Sequence, residues 1–301
     1  LLSLVSPGEK QLIVAMMIAN LGFAATDVIT DGLVVEYSRP GTAQTYQSIA
    51  WGTRSIGAVL SGFTGGILAA KLTAQDIFLI TGLLPLISLL AIIALREKKA
   101  PKKWRAQNVF SPILESVRDI SKGDLKWFLV LLVIISTSAA FGVPLFFYMR
   151  ETLKFDEIFL GLLNSITWAG AMVGCFLFLA FFQKMRLKKA LYWAVGIGFI
   201  EILLTLLIRS APTAFFISFL LGILGYNVLL PLFSSAARLA YKTGVEGSLY
   251  AILMSLFNLG QAVSGSLGGV LYERLGLKLL IVLTAFIVLT AFLVIPRLKT
   301  L

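Results

Sequence analysis

The sequence predicts an all-α membrane protein, a bundle of nine transmembrane helices. Three observations predict it. Of 301 residues, 58% are hydrophobic and only 14% charged, with a mean hydropathy of +0.92, where a soluble domain is about half apolar and a quarter charged. Nine apolar stretches approach or exceed the roughly 20 residues that cross a bilayer. The cations between them fall mostly on one side.

In chain order the stretches are 11–37, 44–70, 77–95, 127–148, 159–182, 191–207, 213–239, 248–272 and 279–295. The sixth is short and carries Glu201. Pro85, Pro144 and Pro231 interrupt the third, fourth and seventh, which helices tolerate where neighbours or a cavity satisfy the freed backbone.

Orientation follows from Lys and Arg in the connections. If the segment 96–126 is cytoplasmic, its side collects eighteen cations. They include Arg39, nine between Arg96 and Lys126, the group Lys184 to Lys189, and Arg238, Lys242, Arg297 and Lys299. The other side collects seven, and Arg54 alone remains inside the membrane. The start of the chain is then expected outside and its end inside an inner-membrane, multi-pass protein. This topology accounts for the net charge of +11 without nucleic acid as a partner. With no histidine and one cysteine, Cys175, no metal site, cofactor or disulfide is expected.

The basic segment 96–126 separates three spans from six. Ser111-Pro112 reads as a helix start, and Ile113, Leu114, Val117 and Ile120 share a face, so an amphipathic surface helix is expected there. Three domains follow: 1–95 as the last three spans of an N-terminal half, 96–126 as a cytoplasmic linker, and 127–301 as a six-span C-terminal half. The whole is then spans four to twelve of a six-plus-six protein.

An internal repeat supports that division. Residues 57–68 align without gaps on 260–271, six of twelve identical, between two spans that stand six apart. Parallel repeats of this kind describe the halves of major facilitator transporters. Gly57, Ser61 and Gly65, like Ser264 and Gly268, recur every four residues and predict close helix packing.

Charges inside the membrane are expensive and usually partnered. Asp27 and Arg54 lie thirteen and fourteen residues from Pro40 on either side, so at 1.5 Å per residue they reach similar depth in antiparallel helices. An ion pair is expected. Asp31 lies one turn along the same face, while Glu36 and Arg39 fall at the cytoplasmic interface, as does Glu246. Three roles are open to the pair: a structural bridge, a gate or proton relay, and direct contact with a solute. Trp51, Tyr148, Trp168, Asn227, Asn258 and Gln261, with Asn164 and Tyr226, are candidates to line a central cavity for an aromatic, hydrogen-bonding solute.

The order of several segments resembles the folate–biopterin transporter family of the major facilitator superfamily. The likeness lies in Asp27-Val-Ile-Thr-Asp31-Gly-Leu-Val-Val35-Glu36, Gln47-Ser48 with Trp51-Gly52, and Leu83-Leu84-Pro85-Leu86-Ile87. It continues in Pro144-Leu-Phe-Phe-Tyr148-Met149, Phe159-Leu160-Gly161, Gly244-Val-Glu246-Gly247 and Ala251 to Gly260. The resemblance implies a twelve-span fold and uptake of folates or related pterins by alternating access, coupled to protons, by a monomer. Against that pattern the sequence begins at the fourth span. A pterin presents adjacent N–H donors that Asp27 or Asp31 can accept in bidentate fashion, Trp51 or Trp168 can stack on it, and Arg54 can meet a folate carboxylate.

Gly52-x-Arg54-x-x-Gly57 is also similar to muropeptide and acetyl-CoA permeases of the same superfamily, and a truncated, non-transporting remnant is the other reading. An enzyme is not expected, since the sequence has no Gly-x-x-x-x-Gly-Lys-Ser/Thr loop, no His/Cys cluster and no nucleophile elbow.

Overall fold

The structure is a computed structural model and describes residues 9–37, 42–94, 123–182, 184–241 and 246–299. The expected amphipathic helix in 96–126 lies almost wholly outside the described residues, as does Arg39. Among the described residues every regular element is helical.

All nine expected spans are helices. They are α1 (Glu9–Tyr37), α2 (Ala43–Lys71), α3 (Ala74–Ala94), α4 (Gly123–Ser136) and α5 (Gly142–Phe147), followed by α6 (Glu157–Leu177) and α7 (Leu187–Leu204). Then come α8 (Ala211–Ala240), α9 (Glu246–Leu289) and the short α10 (Ala291–Val294). Six of the described segments are long and apolar enough to cross a membrane, and the last, residues 247–297, holds two spans. The shortest expected span crosses over 187–207. The first helix is expected and found over nearly the same residues, and its outer portion is exposed.

The eighth and ninth expected spans are separate helices, the two arms of α9, and they meet in the expected gap between them at a corner on Gly276, with φ +70° and ψ 165°. That left-handed region strains any residue with a Cβ, so glycine sets the corner. The fourth span is longer than expected and is built in pieces: α4, a 3-10 turn over Thr137–Phe141, α5, and a π turn over Tyr148–Thr152. Pro144 lacks an N–H to give the Ala140 carbonyl, and that carbonyl faces Gly268 on α9, where an added Cβ would collide with it.

Small residues set the helix contacts, but in a different register from the one expected. Gly57 and Gly65 meet no described atom, whereas Gly52 packs on Cys175 and Gly62 on Ser165, so the seam of α2 runs along α6. The repeat partner behaves as expected at Gly268, and Gly260 packs on Ser136. A second close crossing lies between α6 and α8, outside that pattern. There a Cβ on Gly170 would strike the Phe219 carbonyl, and one on Gly222 the Thr167 carbonyl. Small faces let backbones approach where lipid offers no hydrophobic drive.

The core of 123–299 lies between α4, α7, α8 and the two arms of α9, around Phe128, Leu132, Leu253 and Ile281. Outward, Phe181, Phe216 and Leu293 are among many large exposed apolar side chains, the surface expected of a lipid-facing bundle. At the end of the bundle where α4 and α7 begin, the C-terminal segment is tied down. Lys188 Nζ donates to the carbonyls of Pro296 and Leu298 at 3.1 and 2.7 Å, and Lys299 N to Asp124 Oδ1 at 2.9 Å. Arg297 covers Trp127, 4.2 Å from the ring centroid. We call this the basic end.

Candidate functional site

Helices α1 and α2 run toward and away from the basic end, and their matched depth brings three charges together. Arg54 Nη2 lies 2.5 Å from Asp27 Oδ1 and 3.9 Å from Asp31 Oδ1. Asp31 is the most enclosed of the three side chains, 17% exposed against 51% for Asp27. One cation thus serves two carboxylates. In a low-dielectric setting such a set is held together by the difficulty of leaving any member unpaired.

The same guanidinium stands 4.2 Å from the centroid of the Trp51 ring, one turn earlier on α2. A cation over an indole face is attracted by the ring's quadrupole, by about 0.5–2 kcal/mol. Trp51 also stacks on Phe233 of α8 at 5.1 Å and meets Tyr226 edge-on at 5.7 Å; Tyr226 in turn lies 6.0 Å from Trp168 of α6. Phe233 continues to Phe257 of α9. An aromatic rail therefore joins α6, α8, α2 and α9, and the charges sit beside it.

Toward the basic end the rail gives way to polar groups. Gln47, four residues before Trp51, is 1% exposed, and Tyr250 near the start of α9 is fully buried. The Tyr250 hydroxyl faces the Gln47 amide and lies within electrostatic reach of Asp31 and Arg54. Yet among the described residues neither group, nor Trp51 Nε1, meets a partner at hydrogen-bonding geometry. Leaving a buried polar group unpaired costs about 1–3 kcal/mol. Neither Gln47 as a site residue nor Tyr250 was anticipated. Gln47, Trp51 and Arg54 fall at i, i+4 and i+7, one stripe of a helix, and that spacing was the available signal.

Of the other sequence candidates, the structure draws Trp168 into the rail but separates the rest. Tyr148 packs at the opposite end of the bundle with the Leu145, Leu160 and Ile208 cluster. Asn227 is buried in the α6–α8 crossing, its Nδ2 donating to the Ile223 carbonyl at 2.7 Å and to the Gly174 carbonyl at 3.5 Å. It joins helices instead of facing a cavity. Asn258 and Gln261 lie on α9, the first exposed and the second partly so. Glu36 and Glu246 are placed only as residues at the basic ends of α1 and α9. Glu201 rests against Gly225 of α8, where an added Cβ would stand 2.9 Å from its Oε1, and no described cation pairs with it.

Comparison with known proteins agrees with this architecture. A bacterial homologue of the iron transporter ferroportin, in an outward-facing state with soaked iron, superposes with a TM-score of 0.65 at 17% identity, covering 98% of this chain and 76% of that one. A second structure of such a homologue, also outward-facing, gives 0.63 at 19% identity, covering 94% and 71%. At those identities the likeness is of fold, a major facilitator-type helical bundle.

Among sequences, the "Folate-biopterin transporter" of Synechocystis sp. is 28% identical over 295 residues, 89% of this chain and 58% of that protein. "Probable folate-biopterin transporter 7" of Arabidopsis thaliana is 29% identical, over 87% of this chain and 63% of its own length. "Folate transporter 2" of Plasmodium falciparum is 25% identical, over 77% and 53%. The chain thus spans a little over half the length of these relatives. The BT1 family model matches residues 3–300, nearly the whole sequence, and the chain belongs to the BT1 family.

Proposed function

We propose that this chain forms most of a secondary active transporter that works by alternating access and takes up folate, biopterin or a related pterin together with protons. The observation that carries the reading is the Arg54–Asp27–Asp31 set beside Trp51, at the seam between α1–α2 and α8–α9. The names of the relatives supply the solute class.

The chemistry suits a pterin. A carboxylate accepts two adjacent N–H groups as a bidentate pair, an indole stacks on the fused ring, and an arginine meets the carboxylates that distinguish folate from simpler pterins. Arg54 already serves two aspartates. When a folate carboxylate takes Arg54, the released aspartate exchanges its cation for a proton, and proton and solute then travel together.

In the complete protein, residues 1–95 are the last three spans of the first half, 96–126 the cytoplasmic linker, and 127–301 the second half. The basic end is cytoplasmic, the membrane is the inner membrane, and the working unit is a monomer.

Uptake of labelled folate and of pterin by the full-length protein in proteoliposomes, with and without a proton gradient, tests the proposal. Gradient-driven accumulation that is lost in Asp27→Asn and Arg54→Ala supports it. Accumulation unchanged in both variants removes these residues from the mechanism, and no accumulation of either solute by wild type removes the substrate.

A further inference from the structure

We propose that Gln47, Trp51 and Tyr250 form a second, inner solute-contact set that the closed basic end keeps shut. The proposal rests on the transport reading above and assigns a role to Gln47 and Tyr250, which that reading does not use. Gln47 and Trp51 belong to α2, Tyr250 to α9, so the set straddles the seam between the chain's two halves.

Three observations carry it. First, both Gln47 and Tyr250 are more than nine-tenths buried, and among the described residues the Gln47 Nε2 and Oε1, the Tyr250 hydroxyl and the Trp51 Nε1 meet no hydrogen-bond partner. A contact that only needed to seal would be apolar at these positions, because closing over unpaired polar groups weakens the seal. Second, Gln47 lies one turn of α2 from Trp51 and two from Arg54, so the set follows the charged site along the path toward the basic end. Third, Trp51 is held by a stack on Phe233 of α8, a contact that parting of the two halves breaks. The ring face is then free while the amide and hydroxyl are uncovered beside it.

The freed groups are a donor from the phenol O–H and an amide that offers a donor and an acceptor side by side. Their complement is the edge of a planar heteroaromatic ring carrying an N–H next to a carbonyl, with the ring stacked on Trp51. A pterin has that edge. The solute would therefore meet the Arg54 site first and this set second, before release at the basic end.

The test compares pterin with lumazine, which has a carbonyl where pterin has its ring amino group. Binding of each to the full-length protein in nanodiscs is measured for wild type, Gln47→Leu and Tyr250→Phe, the latter isosteric and safe for folding. The expected result is a loss of affinity of about tenfold for pterin in either variant, with the preference of pterin over lumazine narrowed in Gln47→Leu. Equal pterin affinity in wild type and both variants overturns the inference and leaves these residues as a seal alone. Wild type that binds neither compound overturns the pterin reading, and the inference with it.

Discussion

Arg54 Nη2 stands 2.5 Å from Asp27 Oδ1, and the same guanidinium lies 4.2 Å from the centroid of Trp51. The pair links α1 to α2, and the ring links α2 to Phe233 on α8. One side chain thus connects the charges to the seam between α2 and α8, and any change in that seam is felt by the charges.

Removing the cation should therefore do more than removing one acid. Arg54→Ala leaves Asp27 and Asp31 without their shared partner, and uptake should fall by at least about tenfold, the equivalent of about 1.4 kcal/mol. The exchange Asp27→Arg with Arg54→Asp restores the pair with its polarity reversed. Partial recovery of uptake over the single variants is expected; a double variant no better than the singles would mean that the pair is not the unit that matters.

The α6–α8 crossing should not tolerate a large added side chain. Gly222→Leu forces a side chain into the Thr167 carbonyl, and overpacking of this kind costs about 1–3 kcal/mol or more. A drop in the melting temperature of the detergent-purified protein by several degrees is expected. Gly57→Leu, which meets nothing among the described residues, should leave the melting temperature unchanged.

The contact between Ala140 and Gly268 should be coupled to Pro144. Gly268→Ala places a methyl against the Ala140 carbonyl, while Pro144→Ala returns an N–H that can draw that carbonyl back into its own helix. A double-mutant cycle on thermal stability should show that Gly268→Ala is milder by at least about 0.5 kcal/mol in the Pro144→Ala background. Strict additivity would show that the proline does not present the carbonyl.

What was legible in the sequence was what depends on neighbours along the chain. Hydropathy over twenty residues is local, so all nine stretches appear as helices, and counting from Pro40 was enough to pair Asp27 with Arg54 because a single turn fixes the relative depth of two helices. The register of the glycines was not legible. Gly57 and Gly62 look alike in sequence, and only the position of Ser165 on α6 decides which is used. Tyr250 and Gln47 come from segments 203 residues apart, and nothing local marks them as facing one another. The corner at Gly276 was legible as a break, because it falls in the gap between the eighth and ninth apolar stretches.

Glu201 marks a last difference between pattern and environment. It sits on α7 against Gly225 with no described cation pairing with it, so an amide of the same shape should replace it. Glu201→Gln is expected to keep both melting temperature and uptake close to wild type, whereas Glu201→Lys, longer and cationic against α8, should lower the yield of folded protein sharply. Loss of uptake in the glutamine variant with stability intact would place this carboxylate in the coupling mechanism.

The central claim is that the two halves meet at the basic end through Trp51 and Phe233 and part there during transport. Spin labels at Tyr46 on α2 and Arg238 on α8, both exposed near that end, report the separation directly in full-length protein in nanodiscs. The account predicts a single short distance without solute and a second, longer population once pterin and a lowered pH are supplied together. One unchanging distance under every condition, in protein that demonstrably transports, would contradict it.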